Sequence, residues 1–405
     1  MRILHIDIET FSSVELKKSG LYKYVQSPDF EIILFAYAYD DEPVRVIDCL
    51  QGEVIPLSVL NDLQNPAVIK MAHNAAFEFY ALSKFYKTFL DQWRCTMVQA
   101  LYCGFPGSLA GVGEAMGFQE DKKKMGIGKT LIKYFCIPCA ATKANGGRTR
   151  NYPRHNMQKW ELFKSYNYQD VVTEREIYHG LCQYPVPEEE WKNWQLDQMI
   201  NIGGTAIDME LVEGALAVSD QIRDELSGKA KDLTGLENPN SVAQLKKWVE
   251  DNSGLEIDSL NKATVAEILS GDPAEGIREV LKIRRELGKT SVKKYEAMKT
   301  CVCEDGRVRG LLQFYGANRT GRFAGRLVQI QNLPKNFLGT LDIAREFVKH
   351  RQIEAVRMIY GNIPDTLSQL IRTAFVPGEG CHFCVADFSA IEARVLAWMA
   401  GEQWR

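Results

Sequence analysis

The hydrophobic pattern of the first part of the chain alternates between short apolar runs and longer amphipathic stretches. Residues 3–8 and 31–39 are rich in apolar residues, a pattern typical of largely buried β-strands. Residues 158–180 have the mixed spacing of apolar and polar positions that favours an α-helix. Strands that alternate with helices predict an α/β fold for this region.

A change in composition ends this first region. Residues 184–190 are Tyr-Pro-Val-Pro-Glu-Glu-Glu, and prolines beside a run of acidic residues are typical of a connection between domains. We therefore expect a first domain at residues 1–185, a second at 186–300 and a third at 301–405.

Further elements are predicted beyond this boundary. Residues 190–300 have a mainly helical pattern that is broken at glycine, asparagine and proline positions. Residues 301–315 predict a β-hairpin that turns at an Asp-Gly pair. Near the end of the sequence, we expect a strand at residues 382–386, followed directly by a helix at residues 390–400.

The overall composition is that of an ordinary globular protein. Of the 405 residues, 45% are hydrophobic and 25% are charged, which argues against collagen, a coiled coil or an intrinsically disordered chain. The sequence has no run of about 18 apolar residues, so we expect neither a membrane span nor a membrane partner. The first residues, MRILHIDIET, lack the pattern of a secretory signal, so we expect a cytoplasmic location.

Charge is distributed unevenly along the chain. The net charge is −3, yet residues 278–335 contain fourteen lysines and arginines against five acidic residues. Between Leu311 and Lys335 there is no acidic residue at all. A basic stretch in an otherwise acidic protein favours a polyanionic partner such as a nucleic acid. The alternative, a solvated helix face, fits the mixed charges of residues 278–300 better than those of the later segment.

Two acidic residues mark the first predicted strand as a candidate metal site. Asp7 and Glu9 are two residues apart, so the alternation of side chains along a strand places both carboxylates on one face. Two carboxylates on one face of an apolar strand repel each other, and a divalent cation between them removes that repulsion. A pair of acids on an exposed sheet edge is the alternative interpretation.

Two further pairs have the spacing of one helical turn. Asn74 and Glu78 are four residues apart, as are Tyr166 and Asp170, so each pair would share one face of a helix. Together with the strand pair, they would bring four carboxylates together from three segments. Oxygen ligands suit Mg²⁺ or Mn²⁺. Two such ions can activate a water and stabilise the leaving oxygen of a phosphodiester.

The order of these pairs, D-x-E, then N-x(3)-E, then Y-x(3)-D, resembles the tyrosine variant of the DEDD superfamily of proofreading 3′–5′ exonucleases. The resemblance implies a ribonuclease H-like domain at residues 1–185. It implies that four acids bind two Mg²⁺ (or Mn²⁺) ions and that a tyrosine orients the attacking water; these catalytic residues are Asp7, Glu9, Glu78, Asp170 and Tyr166. Asn74 is expected to contact DNA. The family usually has aspartate where this chain has Glu78, and the extra methylene is expected to change the metal geometry and the excision rate.

A segment near the end of the sequence, Val-Ala-Asp-Phe-Ser-Ala-Ile-Glu-Ala-Arg at residues 385–394, resembles motif A of family A DNA polymerases. The resemblance implies that Asp387 is catalytic and holds Mg²⁺, and that the main-chain carbonyl of Phe388 also touches a metal ion. It implies that Glu392 is a steric gate against the ribose 2′-hydroxyl, and that Ile391 packs near the incoming nucleotide.

Other segments resemble the same family and imply a DNA interface. Thr-Gly-Arg at residues 320–322 and Gln-Asn-Leu-Pro at residues 331–334 resemble the segment in which an arginine and a glutamine contact the minor groove at the primer–template junction. The DNA-binding residues implied by the resemblance are Arg319, Thr320, Arg322, Gln331, Asn332 and Lys335. Residues 284–295 resemble the thumb helix that follows the duplex backbone.

The combined resemblance implies a DNA-directed DNA polymerase of phage or mobile-element type with a proofreading exonuclease. It implies a helical thumb at residues 186–300 and the first part of an α+β palm at residues 301–405. The implied partners are primer–template DNA and single-stranded 3′ ends, with dNTP only in the full-length enzyme. The expected location is the cytoplasm of a bacterium or of a phage-infected host cell.

The family's fingers helix and second palm carboxylate have no counterpart in the sequence. We therefore expect a polymerase truncated just after motif A that does not extend a primer by itself, with the missing segment as a candidate partner chain. The apolar residues Ile391, Val395 and Trp398 are expected to be uncovered. Two alternatives stay open: a stand-alone 3′–5′ exonuclease on DNA or RNA, and a non-catalytic DNA-binding or assembly subunit.

Overall fold

The first region is built on a five-stranded mixed sheet in the computed structural model, which describes residues 2–288, 292–317 and 320–402. Its strands are β1 (Arg2–Phe11), β2 (Glu31–Tyr39), β3 (Arg45–Ile47), β4 (Val68–Ala72) and β5 (Trp93–Cys95). In the order β3-β2-β1-β4-β5, β2 is antiparallel to β1 and β3, whereas β4 is parallel to both β1 and β5. The strands predicted at residues 3–8 and 31–39 are confirmed as β1 and β2.

Helices accompany this sheet along the chain. They are α1 (Leu16–Gln26), α2 (Leu57–Gln64), α3 (Ala76–Ser83), α4 (Thr96–Tyr102), α5 (Leu109–Ala115), α6 (Gly128–Phe135) and α7 (Met157–Leu181). The helix predicted at residues 158–180 is confirmed as α7, which packs across β1 and β2. The side chain of Asn156 caps α7 by accepting a hydrogen bond of 2.9 Å from the Lys159 N–H. Helix packing on the sheet buries β2 almost throughout, which explains its continuous apolar sequence.

The later part of the chain is mainly helical, as predicted for residues 190–300. The helices are α8 (Glu188–Gly203), α9 (Met209–Thr234), α10 (Val242–Ser253), α11 (Lys262–Ser270), α12 (Glu275–Leu287), α13 (Lys293–Cys301), α14 (Leu341–Lys349), α15 (Ile353–Tyr360), α16 (Ile363–Leu370) and α17 (Ile391–Met399). A second hydrophobic core forms where α13, α14 and α16 pack on α9.

Short strands join these helices in two small sheets. Their members are β6 (Thr205–Ile207), β7 (Arg307–Val308), β8 (Leu312–Ala317), β9 (Arg322–Gly325) and β10 (Phe375–Val376). One sheet has the order β10-β6-β7, and the other is the antiparallel pair β8-β9.

Helix α8 contributes to the first hydrophobic core although it follows the expected boundary at residues 184–190. Its side chains Trp191 and Trp194 belong to the hydrophobic core that contains Leu4 and Trp93. The first core therefore draws on residues from both sides of the proline-rich connection.

The hairpin predicted at residues 301–315 is present only around its turn. The N–H of Gly306 donates to the Cys303 carbonyl at 3.0 Å, and one antiparallel bridge joins Val302 to Val308. After Val308, the left-handed φ of 67° at Gly310 redirects the chain, and β8 pairs with β9 instead. The prediction missed this because β8 finds a longer partner strand further along the sequence.

The strand predicted at residues 382–386 is wrong. Residues 381–388 have no regular secondary structure, and they are exposed. A strand is stable only when its backbone groups pair with a neighbouring strand, and these residues pair with no strand of the described chain. The helix expected at residues 390–400 is confirmed as α17. Within the described ranges, no helix combines the length and apolar character needed to cross a bilayer.

Candidate functional site

Three of the predicted acids meet on the central strand of the first sheet. Asp7 and Glu9 lie on one face of β1, and α7 crosses that face and brings Asp170 to them. One carboxylate oxygen from each of the three residues lies within 4.8 Å of the others. This arrangement agrees with the two-residue spacing on the strand and with the predicted helix for Asp170. It forms a compact set of oxygen donors of the kind that hard divalent cations prefer.

Burial and mutual repulsion oppose ionisation of these acids. Burial first, and then the negative charge of Asp170, raises the pKa of Asp7 from its usual 3.8 to about 8. Burial and the charge of Asp7 raise the pKa of Glu9 well above its usual range. Burial also raises the pKa of Asp170. A bound cation would remove this penalty, because it favours the ionised form of each carboxyl.

Glu78 lies beside this group in the first turn of α3. It is outside the set of oxygens that lie within 4.8 Å, which contains Asp7, Glu9 and Asp170. Its side chain is buried, and Oε2 has no hydrogen-bond partner in the part of the chain that the structure describes. Burial first, and then the charge of Asp7, raises its pKa well above the usual range. Glu78 is thus a buried acid close enough to Asp7 to repel it.

The helix that was expected to hold Asn74 begins after it. Asn74 lies in the turn between β4 and α3 and has a left-handed φ of 71°. Asparagine tolerates this conformation better than most residues, and the turn directs the chain from the sheet into the helix. The prediction that Asn74 and Glu78 share a helix face is therefore wrong, although both residues remain at the same end of α3.

Polar residues that the sequence analysis missed hold the acids in place. Asn167 is fully buried, and its Nδ2 donates to the Oδ2 of Asp7 at 2.6 Å. The thiol of Cys136 donates to Glu9 Oε2 at 3.8 Å. Asn167 follows the predicted Tyr166, but only the α7–β1 crossing shows that it faces Asp7. Cys136 forms a Cys-x-x-Cys pattern with Cys139, but this pattern does not relate it to Glu9.

A lysine also reaches the acids. The Nζ of Lys124 forms an ion pair with Oδ2 of Asp170 and lies 4.5 Å from the centre of the Tyr166 ring. Lys124 lies in the connection before α6. Its spacing from the acids in the sequence follows no helix or strand period, so the sequence offers no reason to place it beside them.

Tyr166 is buried against the acids and is held by close packing. Burial and the charge of Asp170 raise its pKa above the usual value, so its hydroxyl stays protonated at physiological pH. Its ring stacks on Phe163 with centroids 5.9 Å apart. Gly128 also lies against the ring, and an added Cβ there would be 2.1 Å from a ring carbon. Gly128 therefore leaves the space that Tyr166 occupies.

The polymerase-like residues near the end of the chain are exposed. Asp387 and Phe388 lie in the irregular segment before α17. Glu392, in the first turn of α17, accepts a hydrogen bond of 2.8 Å from Arg322 Nη2. Ile391, Val395 and Trp398 are at least partly exposed, with Trp398 at 79%, which confirms the expectation that they are uncovered.

The described residues that the polymerase resemblance implies as DNA-binding are exposed; they are Thr320, Arg322, Gln331, Asn332 and Lys335. Thr320 is in the turn of the β8–β9 hairpin, and the short helical segment Ile330–Asn332 presents Gln331 and Asn332. Lys335 is exposed just beyond it. Arg319 lies outside the described residues.

Arg372 secures the segment that carries Gln331 and Lys335. Its Nε donates to the carbonyl oxygen of Pro334 at 2.7 Å, and its Nη2 donates to that of Leu333 at 2.9 Å. The guanidinium thus holds two consecutive carbonyls between the candidate DNA-contacting residues.

Thermal stability in the absence of divalent ions is expected to fall as the pH rises. A carboxyl whose pKa is higher in the folded than in the unfolded state stabilises the fold while it is protonated, and this stability is lost as the pH rises through about 8 for Asp7. In EDTA, Tm should be about 4 °C lower at about pH 9 than at about pH 6, with a larger gain from Mg²⁺ at the higher pH. Differential scanning fluorimetry measures this, and equal gains from Mg²⁺ at both pH values would contradict it.

Comparisons with known proteins relate this chain to DNA polymerases. Residues 212–404 match the family described as DNA polymerase family A. The chain is 53% identical over 407 residues to a DNA polymerase of Bacillus phage SP02, a match that covers 100% of this chain and 62% of that polymerase. The chain thus spans about three-fifths of the length of this relative.

A solved structure shares the fold. The POL domain of Pol1 from M. smegmatis, in complex with DNA primer-template and dNTP, superposes with a TM-score of 0.51. The superposition covers 98% of this chain and 58% of that one at 17% sequence identity, so the likeness concerns the fold alone.

Proposed function

Because residues 212–404 match the family described as DNA polymerase family A, and the chain is similar to a phage DNA polymerase, we propose that its first region is a proofreading nuclease that removes nucleotides from DNA 3′ ends. The observation that carries this proposal is the meeting of Asp7, Glu9 and Asp170, with oxygens within 4.8 Å of one another on a buried strand. A purely structural role would not favour three repelling acids at one buried point, since their ionisation opposes folding.

Divalent metal ions fit this site. Besides the three clustered carboxylates, Glu78 Oε2 and Asp170 Oδ1 are buried without a hydrogen-bond partner among the described residues. We propose that Asp7, Glu9, Glu78 and Asp170 hold two Mg²⁺ or Mn²⁺ ions. When bound, such ions lower the pKa of a coordinated water and neutralise charge on the phosphodiester.

The protein's own side chains orient the reaction. Asn167 fixes the Asp7 carboxylate by its 2.6 Å hydrogen bond and so sets the direction of that ligand. The neutral Tyr166 hydroxyl is a hydrogen-bond donor and acceptor beside Asp170, and we propose that it positions the attacking water. Asn74, at the turn before α3, is proposed to contact the DNA strand near its end.

Shortening of a single-stranded DNA labelled at its 5′ end tests the proposal. We expect successive loss of single nucleotides in Mg²⁺ or Mn²⁺, and no loss in EDTA. Cleavage at internal positions, or shortening from the labelled end, would contradict the assigned polarity. The same oligonucleotide in RNA form distinguishes a DNA-specific nuclease from a general one.

We also propose that the polymerase-family region holds primer–template DNA and contributes Asp387 to DNA-directed DNA synthesis. The family match over residues 212–404 supports this proposal. Arg322 and Gln331 would contact the minor groove, and Ile391 and Glu392 would lie near a dNTP. The Pol1 domain of similar fold was solved with both ligands.

The affinity of the chain for a fluorescent primer–template duplex tests this second proposal. Replacing Gln331 with alanine is expected to weaken binding roughly fivefold, because a minor-groove hydrogen bond contributes about 1 kcal/mol. Gln183, which lies outside this region, serves as the matched glutamine for a control. Equal affinity of the Gln331→Ala and Gln183→Ala variants would contradict the assigned interface.

A further inference from the structure

Three consecutive lysines before α6 have different partners, and only one of these partners belongs to the acid site. Lys122 pairs with Glu176 at 2.9 Å, and Lys123 pairs with Glu120 at 2.7 Å. Lys124 alone of the three turns inward, and its side chain is 26% exposed. Its Nζ pairs with Asp170 Oδ2 while it also lies over the Tyr166 ring.

The charge of Lys124 offsets the repulsion among the acids. Its positive charge lowers the pKa of Asp7, Glu9 and Asp170, against the larger effect of burial. A positive charge at this point favours the ionised form of the carboxyls, as a bound divalent ion would, but to a smaller extent. Without the lysine, this lowering effect would be lost, and the pKa values of the three acids would be higher.

We propose that Lys124 is a resident counter-cation of the nuclease site, and that it and a divalent ion at Asp170 exclude each other. The inference deepens the proposed nuclease function and rests on it. Two cations that share one carboxylate lie only a few ångströms apart, and their repulsion in a partly buried site is strong. The ion should therefore bind as the lysine leaves Asp170.

The surroundings of Lys124 allow such a movement. The residue lies in an irregular connection rather than in a helix or strand, so its position is not fixed by a backbone hydrogen-bond ladder. The Tyr166 ring, 4.5 Å away, offers a cation–π contact that does not use the carboxylate. This contact exists alongside the ion pair and does not depend on it.

Lys124→Met tests the proposal through metal affinity without DNA. We expect this variant to bind Mn²⁺ about tenfold more tightly than the wild type in isothermal titration calorimetry, because the competing cation is gone. In EDTA, its Tm should be lower than that of the wild type, because the acids lose their counter-charge. Lys123→Met is the matched control and should change neither quantity. Lys124→Arg retains the charge and should resemble the wild type.

Unchanged or weaker Mn²⁺ binding by Lys124→Met would overturn the proposal, since the lysine would then assist or ignore the ion. If that variant does not fold, the wild type provides the measurement: Mn²⁺ should increase acetylation of Lys124 but not of Lys123, as followed by mass spectrometry. No increase would equally overturn it. Failure of the nuclease proposal itself gives a different result, namely equal Mn²⁺ binding by the wild type and by Asp7→Asn.

Discussion

Replacing Asp7 with asparagine is expected to lower the rate of DNA shortening about a thousandfold. Asp7 is central to the site, since it lies among the clustered oxygens and accepts the Asn167 hydrogen bond. Asparagine has nearly the same shape but no negative charge, so the site loses one anionic metal ligand. A loss of about 4 kcal/mol in transition-state stabilisation corresponds to this factor. Single-turnover degradation of a 5′-labelled oligonucleotide at saturating Mg²⁺ gives the rate.

The control for this variant is a surface aspartate of the same region. Asp41 has a side chain that is 86% exposed, and it contacts only His179 at 3.3 Å among its ion-pair partners within the described chain. Asp41→Asn should therefore shorten DNA at the wild-type rate. The nuclease proposal would have to be abandoned if Asp7→Asn retained more than about a tenth of the wild-type rate while the protein stayed folded.

The second large effect is expected at Gly128, which has no role in the chemistry itself. In Gly128→Ala, the new Cβ would lie 2.1 Å from a carbon of the Tyr166 ring, so the ring must move. Overpacking of this kind costs about 1–3 kcal/mol. Displacement of the hydroxyl beside Asp170 should lower the nuclease rate roughly 10- to 100-fold. Single-turnover rates and Tm measure the two effects.

Gly126 provides a matched control for this substitution. It lies two residues earlier, in the connection before α6, and an added Cβ there would meet nothing within 4 Å. Gly126→Ala should therefore leave the rate and Tm near those of the wild type. Equal rates for the two alanine variants would show that Tyr166 does not depend on the space at Gly128.

The relative placement of residues that are close together in the sequence was predictable from their spacing. The apolar-rich segments identified β1 and β2, because most side chains of these strands are buried. The two-residue spacing of Asp7 and Glu9 placed them on one face, and the four-residue spacing of Tyr166 and Asp170 placed them on one turn of α7. Each of these relations lies within one element, so its geometry follows from the period of that element.

Residues that depend on contacts between distant elements were not predictable. Asn167 reaches Asp7 only because α7 crosses β1. Lys124 and Gly128 meet residues of α7 only because α6 and the segment before it lie against that helix. The strand predicted at residues 382–386 also depended on a contact between distant elements. It is absent because no strand among the described residues pairs with this segment. The prediction that Asn74 and Glu78 share a helix face failed because Asn74 has a left-handed backbone conformation and lies in the turn before α3.

The contribution of α8 to the first hydrophobic core determines where the gene can be divided to give a folded fragment. A fragment that stopped in the proline-rich connection would lose Trp191 and Trp194 and open the core that they fill. Removal of a buried tryptophan side chain costs about 3–5 kcal/mol, a large part of the stability of a typical domain. An autonomous nuclease excised from this chain should therefore extend through Gly203, so that it keeps the helix that closes its interior.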